Sequence, residues 1–240
     1  MRILITNDDG LNAPVLPHLI RWAKTLGDVT VVVPKVEQSG KSHAIDFTRP
    51  IEIKEVALAD DITVWSMDST PADCVRFAVL GMKWQFDLVI SGINRGFNLG
   101  KDIVYSGTCG AIFEAARLGI KGIAISTDPR GFADAVCRLD DVWEFFTANN
   151  LLDVNPLYNV NIPLEDNGFC YTRQGGIYFF DEFKYLGDNM YEQSGGILET
   201  DSCDLTLDTD AIRHDYISVT PLTAERTNLA VLDSLLNPED

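Results

Sequence analysis

The sequence predicts an α/β fold: a doubly wound, mostly parallel sheet carrying a β-rich C-terminal extension and a terminal helix. Three observations predict it. The chain opens on a short apolar run, Ile3-Leu4-Ile5, that breaks at once into Thr6-Asn7-Asp8-Asp9-Gly10. Strand-like and helix-like runs then alternate to about residue 150, the order that builds parallel sheets. From about Tyr158 that order gives way to short β-like runs. The chain is therefore divided into an α/β core over 1–157 and an extension with a hairpin and a terminal helix over 158–240.

Each element has its own justification. Ile3–Ile5 is apolar without alternation, as expected of a strand buried on both faces. Asn12 is the expected helix cap, Leu16, Leu19, Ile20, Ala23 and Leu26 recur at helical spacing, and Gly27 closes the turn. Val29–Val33 reads as the second strand, stopped by Pro34. Glu37–Ser42 (EQSGKS) is a polar loop beyond it. Ile51–Val56 and Ile62–Met67 read as a hairpin about Ala59-Asp60-Asp61. Thr70-Pro71-Ala72-Asp73 is a helix start: a hydroxyl cap, proline at the first helical position, an early acid. Cys74, Val75, Phe77, Ala78 and Leu80 form its expected core face.

Asp87–Ile90 is the next strand. Behind it runs SGINRGFNLGKDIVYSGTCG, with five glycines and two asparagines. A polar loop of that length at a strand's carboxyl end is usually functional or disordered. It feeds an alanine-rich helix, Ala111–Leu118, closed by Gly119. Ser106, Gly107 and Thr108 thus fall at a helix N-terminus, where free N–H groups and the dipole favour anions. Gly122–Ser126 is a strand, and Phe132, Val136, Leu139, Trp143 and Phe146 mark one amphipathic helix. Residues 158–162, 169–173, 176–180 and 215–220 are the short β-like runs of the extension. An acidic segment, 187–212, separates the last two, and a helix over 224–236 ends the chain.

Composition narrows the function. The formal charge of −17 argues against polyanions, so no nucleic-acid polymer is expected as partner. A small phosphate ester still binds wherever a cation or a helix N-terminus reverses the local sign. The five cysteines are scattered, without a C-x-x-C pair, against both a disulfide framework and a zinc site. Three histidines are likewise dispersed. No apolar run reaches the roughly 18 residues of a membrane span. The first strand begins at once, without a signal-peptide pattern. The expectation is a soluble, cytoplasmic protein with no membrane partner.

In open α/β sheets ligands sit outside the carboxyl ends of the strands. Three such ends here carry polar groups: Asp8 and Asp9; Ser39; Asn94 and Asn98. Two adjacent carboxylates repel unless a cation or proton lies between them. Carboxylate, hydroxyl and amide oxygens together suit a hard cation such as magnesium, manganese or calcium. That is a phosphoryl-hydrolysis layout, with the metal as Lewis acid. Competing motifs are missing: no G-x-G-x-x-G follows the first strand, GKS at 40–42 lacks the upstream glycine of a P-loop, and there is no G-x-S-x-G.

The stretches ILITNDDG, EQSGKS, TPADCV, DLVISGINRGFNLG, DIVYSGTCGA, NVNIP and SVTPL together resemble the SurE survival-protein nucleotidases. They run in order from residue 3 to about 222. The resemblance implies a divalent-metal-dependent phosphomonoesterase that converts nucleoside monophosphates to nucleoside and phosphate. That is a 5′-nucleotidase, with 3′-esters and polyphosphate left open as substrates. It implies metal ligation by Asp8, Asp9, Ser39 and Asn94, with Asp8, Asp9 and Asn94 catalytic. It places Ser106, Gly107 and Thr108 on the phosphate, with Asn98, Gly40 and Ser42 in the same pocket. It also implies a Rossmann-like core, exchanged C-terminal elements, and a homodimer or homotetramer. The attacking group stays open between water and Asp8 or Asp9. The alternative reading is a non-catalytic metal- or nucleotide-binding module of the same fold. Two departures stand out: Phe97, where the family pattern has a small residue, and the poorly matching stretch 181–205.

Overall fold

The computed structural model describes residues 1–59 and 62–237. The expected hairpin turn at Asp60-Asp61 lies outside the described residues. One sheet of nine strands organises the rest. Its members are β1 (Arg2–Thr6), β2 (Asp28–Pro34), β3 (Ile53–Ala59), β4 (Ile62–Met67), β5 (Leu88–Arg95), β6 (Lys121–Thr127), β7 (Leu157–Ile162), β8 (Phe169–Tyr171) and β11 (Ile217–Pro221). Their order is β3-β4-β2-β1-β5-β6-β7-β11-β8. The six strands from β4 to β7 in that order are parallel. β3 runs antiparallel to β4, and β11 antiparallel to β7.

The doubly wound α/β expectation is met. From β1 the chain first builds outward through β2 and β4, then returns to β5 on the other side of β1 and builds outward again. β1 and β5 therefore flank the switch point, where open sheets of this kind bind ligands. The apolar run of β1 splits its burial between two layers. Ile3 and Ile5 pack with α1 (Leu16–Ala23), α4 (Phe132–Cys137) and α5 (Leu139–Ala148). Leu4 packs with Val32, Val89, α2 (Pro71–Arg76) and α3 (Gly107–Arg117). Alternate side chains of a strand face opposite ways, so one three-residue run serves both cores.

Several expectations change in detail. Asn12 does not cap α1: the helix begins at Leu16, with Val15 at the cap and Pro17 in the first turn. Gly27 lies beyond its end, and a Cβ there would stand 2.0 Å from the Met1 carbonyl oxygen. Thr70 does cap α2, its hydroxyl accepting from Asp73 N at 3.1 Å. Cys74, Val75 and Ala78 are fully buried, but Leu80 is exposed. The run 132–146 is two helices, broken at Arg138.

The largest change concerns the extension. β7 and β11 continue the main sheet, so the shift of pattern near residue 158 does not end it. β9 (Phe179–Gly187) and β10 (Met190–Ile197) form a separate antiparallel hairpin. The acidic segment 187–212 carries β10 and most of α7 (Asp208–Arg213). Phe183, Tyr185, Leu186, Met190 and Tyr191 on the hairpin are exposed. α8 (Leu229–Leu236), capped by Asn228, buries none of its residues. Among the described residues no helix is long and apolar enough to cross a membrane.

Candidate functional site

The site is built from the turn after β1. Asn7 is fully buried, and its side chain closes that turn: Nδ2 donates to Gly10 O at 3.0 Å, while Oδ1 accepts from Gly10 N at 3.1 Å. Gly10 adopts φ +84°, and a Cβ on it would lie 2.8 Å from the carbonyl carbon of Val36. Only glycine allows the turn to press so closely on the loop after β2. That loop is tied back by Gln38 N donating to Asp8 O at 2.7 Å. The turn thus holds Asp8 and Asp9 beside Glu37 and Ser39.

Asp8 is buried, with 4% of its surface exposed. Thr108 Oγ1 donates to its Oδ1 at 2.6 Å. Gly107 sits against the other oxygen: a Cβ at 107 would lie 3.2 Å from Asp8 Cβ and 3.4 Å from Oδ2. Burial pushes the Asp8 carboxyl up to about 6; the Thr108 hydroxyl partly opposes this, and the charges of Asp9 and Glu37 add to it. Asp9 is also shifted upward by burial, against the Arg95 N–H that donates to its Oδ2 at 3.1 Å. These two carboxylates are short of positive charge, and a divalent cation is the species their chemistry fits.

β5 brings Asn94 to the same place. A register shift between Ser91 and Asn94 sets Asn94 opposite Ser126 of β6. Gly92 makes the shift possible: at φ +139°, a Cβ would lie 2.3 Å from Ile125 O. Asn94 Nδ2 donates to Gly96 O at 2.8 Å, which leaves Oδ1 as the atom available to a cation. Ser39 is exposed, and its Oγ donates to Glu37 Oε1 at 2.6 Å.

Helix α3 starts at Gly107, four residues earlier than its alanine run indicated, because Ser106 caps it by accepting from Cys109 N at 3.0 Å. The first-turn N–H groups of Gly107 and Thr108 have no partner within a helix. Both residues sit on the side of the helix start that touches Asp8. The Thr108 hydroxyl serves Asp8, and its main-chain N–H belongs to the first turn of the helix. Ser42 has φ +56°, its Oγ committed to Val104 O at 2.6 Å and its carbonyl against Gly110 of α3. Gly40 is exposed, with φ +69°. Asn98 is buried against β6 and β7.

Some participants were not read from the sequence. Glu37 and Arg95 drew no expectation from the sequence, yet one orients Ser39 and the main chain of the other orients Asp9. Asn7 lay inside the quoted motif, where a turn-forming asparagine before Asp-Asp-Gly was a usable signal. Phe97 does not line the carboxylate centre; it packs edge-on to Tyr178 with ring centroids 6.3 Å apart.

Comparison with known proteins points to one family. The family model described as Survival protein SurE matches residues 3–180. A protein named 5′-nucleotidase SurE from Thermosipho melanesiensis is 36% identical over 247 residues, spanning 98% of this chain and 96% of that one. Another of that name from Natranaerobius thermophilus is 36% identical over 263 residues, spanning 100% and 99%. The crystal structure of Sure protein from Aquifex aeolicus superposes with a TM-score of 0.79 at 32% identity, covering 100% of both chains.

Proposed function

Because this chain belongs to the SurE survival-protein family, we propose that it works as a 5′-nucleotidase at the carboxyl ends of β1, β2 and β5. The enzyme hydrolyses nucleoside monophosphates to nucleoside and phosphate. One observation carries the reading: the paired carboxylates of Asp8 and Asp9 abut the first turn of α3, linked through Thr108 Oγ1 and Asp8 Oδ1 at 2.6 Å. A cation-seeking pair beside an anion-seeking helix start is an arrangement for a phosphate monoester.

Asp8, Asp9, Asn94 and Ser39 would hold the divalent cation. Magnesium or manganese is the proposed resident, and calcium suits the same oxygens. Bound there, the cation supplies Lewis-acid charge to the phosphoryl group and lowers the pKa of water. The chain does the rest. Gly107 and Thr108 offer main-chain N–H groups to the phosphoryl oxygens, and the Ser106 hydroxyl stands at the same helix start. Thr108 Oγ1 fixes the rotamer of Asp8, and Arg95 N fixes that of Asp9. Asn98 contributes an amide from the adjoining loop. Gly40 and Ser42 shape the pocket rim, Ser42 by tethering its loop to Val104.

Assembly is part of the proposal. The exposed apolar side chains of the β9–β10 hairpin and of α8 are offered to a second copy, as homodimer or homotetramer. The division into a core over 1–157 and an extension over 158–240 is kept in that functional sense, the extension carrying both arms. A cytoplasmic location accords with the five free cysteines. The test is direct. Purified protein releases phosphate from a nucleoside 5′-monophosphate; chelator abolishes release, and magnesium or manganese restores it. Full activity after exhaustive chelation refutes the metal role.

A further inference from the structure

We propose that Asn159 and Asn161, the two asparagines of NVNIP, are positioning residues that hold Asn98 in its phosphate-binding pose. The inference rests on the reading of Asn98 as a phosphate-binding residue. Both side chains lie on β7 two residues apart, so they share one face of the sheet. Both are fully buried. Asn161 Oδ1 accepts from Asn98 N at 2.9 Å. Asn161 Nδ2 and Asn159 Nδ2 both donate to Asn98 O, at 3.1 and 2.7 Å. The main chain of Asn98 is therefore satisfied by side-chain amides, as a neighbouring strand would satisfy it.

The same row of the sheet fixes the side chain. Ser126 of β6 is the register partner of Asn161 on β7 and of Asn94 on β5. Its Oγ accepts from Asn98 Nδ2 at 2.8 Å. Asn98, at 8% exposure, thus has its N–H, its C=O and one amide hydrogen committed, and the second Nδ2 hydrogen remains for a phosphoryl oxygen. An asparagine is needed at 161 because one residue must accept from an N–H and donate to a C=O together. Aspartate matches its shape but cannot donate when ionised.

The experiment uses the full-length enzyme with Asn161→Asp, Asn159→Asp, Asn98→Ala and the double variant Asn98→Ala with Asn161→Asp. Two readouts are taken: kcat/KM for a nucleoside 5′-monophosphate, and the rise in Tm produced by inorganic phosphate at fixed metal, which reports binding without turnover. Each Asp variant should lose about tenfold or more in kcat/KM, since a buried carbonyl is left facing an oxygen. Each should also lose most of the phosphate-induced rise in Tm. The double variant should be no worse than Asn98→Ala, because Asn161 acts through Asn98. If Asn98→Ala is impaired while the Asp variants keep normal kcat/KM and phosphate response, or their losses add to that of Asn98→Ala, the positioning role is overturned. If Asn98→Ala itself is normal in both readouts, the assignment of Asn98 falls, and the positioning role falls with it.

Discussion

Replacing Asp8 by Asn should make the metal-free protein more stable while removing its activity. Asp8 is 4% exposed, and burial raises its carboxyl from 3.8 to about 6. Between those values the folded chain keeps a proton that the unfolded chain has lost. Stability therefore falls as pH rises through that window, and the loss persists above it. The gap corresponds to about 3 kcal/mol at pH 7. Asparagine retains Oδ1 to accept from Thr108 and carries no charge to desolvate. Denaturant unfolding in chelator, run from pH 4 to 7.5, measures the difference. The variant should match the parent near pH 4 and exceed it by about 2–3 kcal/mol at pH 7.5. Added manganese should reverse the order, because the parent gains a partner for its charge. An advantage equal at both pH values, or none at pH 7.5, refutes the argument that the Asp8 charge is held at a cost.

Asp9→Asn should lower kcat by about a hundredfold or more at saturating metal while the fold persists, since several kcal/mol of charge stabilisation is lost from a loop and not from the core; phosphate release and circular dichroism check the two halves. Thr108→Val should cost about 1.5–3 kcal/mol in kcat/KM, the worth of a hydrogen bond to a charged group. The loss should be the same for purine and pyrimidine substrates, whereas a base-dependent loss would move this turn into the nucleoside pocket. Sedimentation should find the full chain as a dimer or larger at micromolar concentration, and a version ending after Leu222, which lacks α8, should assemble more weakly. A monomeric full chain contradicts the assembly reading.

Sequence alone determined the layered α/β plan. Ile3-Leu4-Ile5 is apolar at every position, and only a strand covered on both faces buries all three. Thr70-Pro71 and Ser106 announced their helices because capping is local chemistry, settled by a side chain and the N–H three residues on. Asp8, Asp9 and Asn94 stood out as candidates because open α/β sheets bind ligands outside strand ends, and Thr108 because it falls at a helix start.

Tertiary structure decided the rest. Asn159 and Asn161 read as strand residues until the sheet set them under Asn98, some sixty residues away in the chain. Arg95 drew no expectation from the sequence, yet its main-chain N–H is what reaches Asp9. The β9–β10 hairpin escaped periodicity because both of its faces are exposed, so no core imposes an alternation of apolar and polar residues. Thr108 shows the same limit. Sequence placed it at a helix start, but only packing of α3 against the turn after β1 turned its hydroxyl to Asp8.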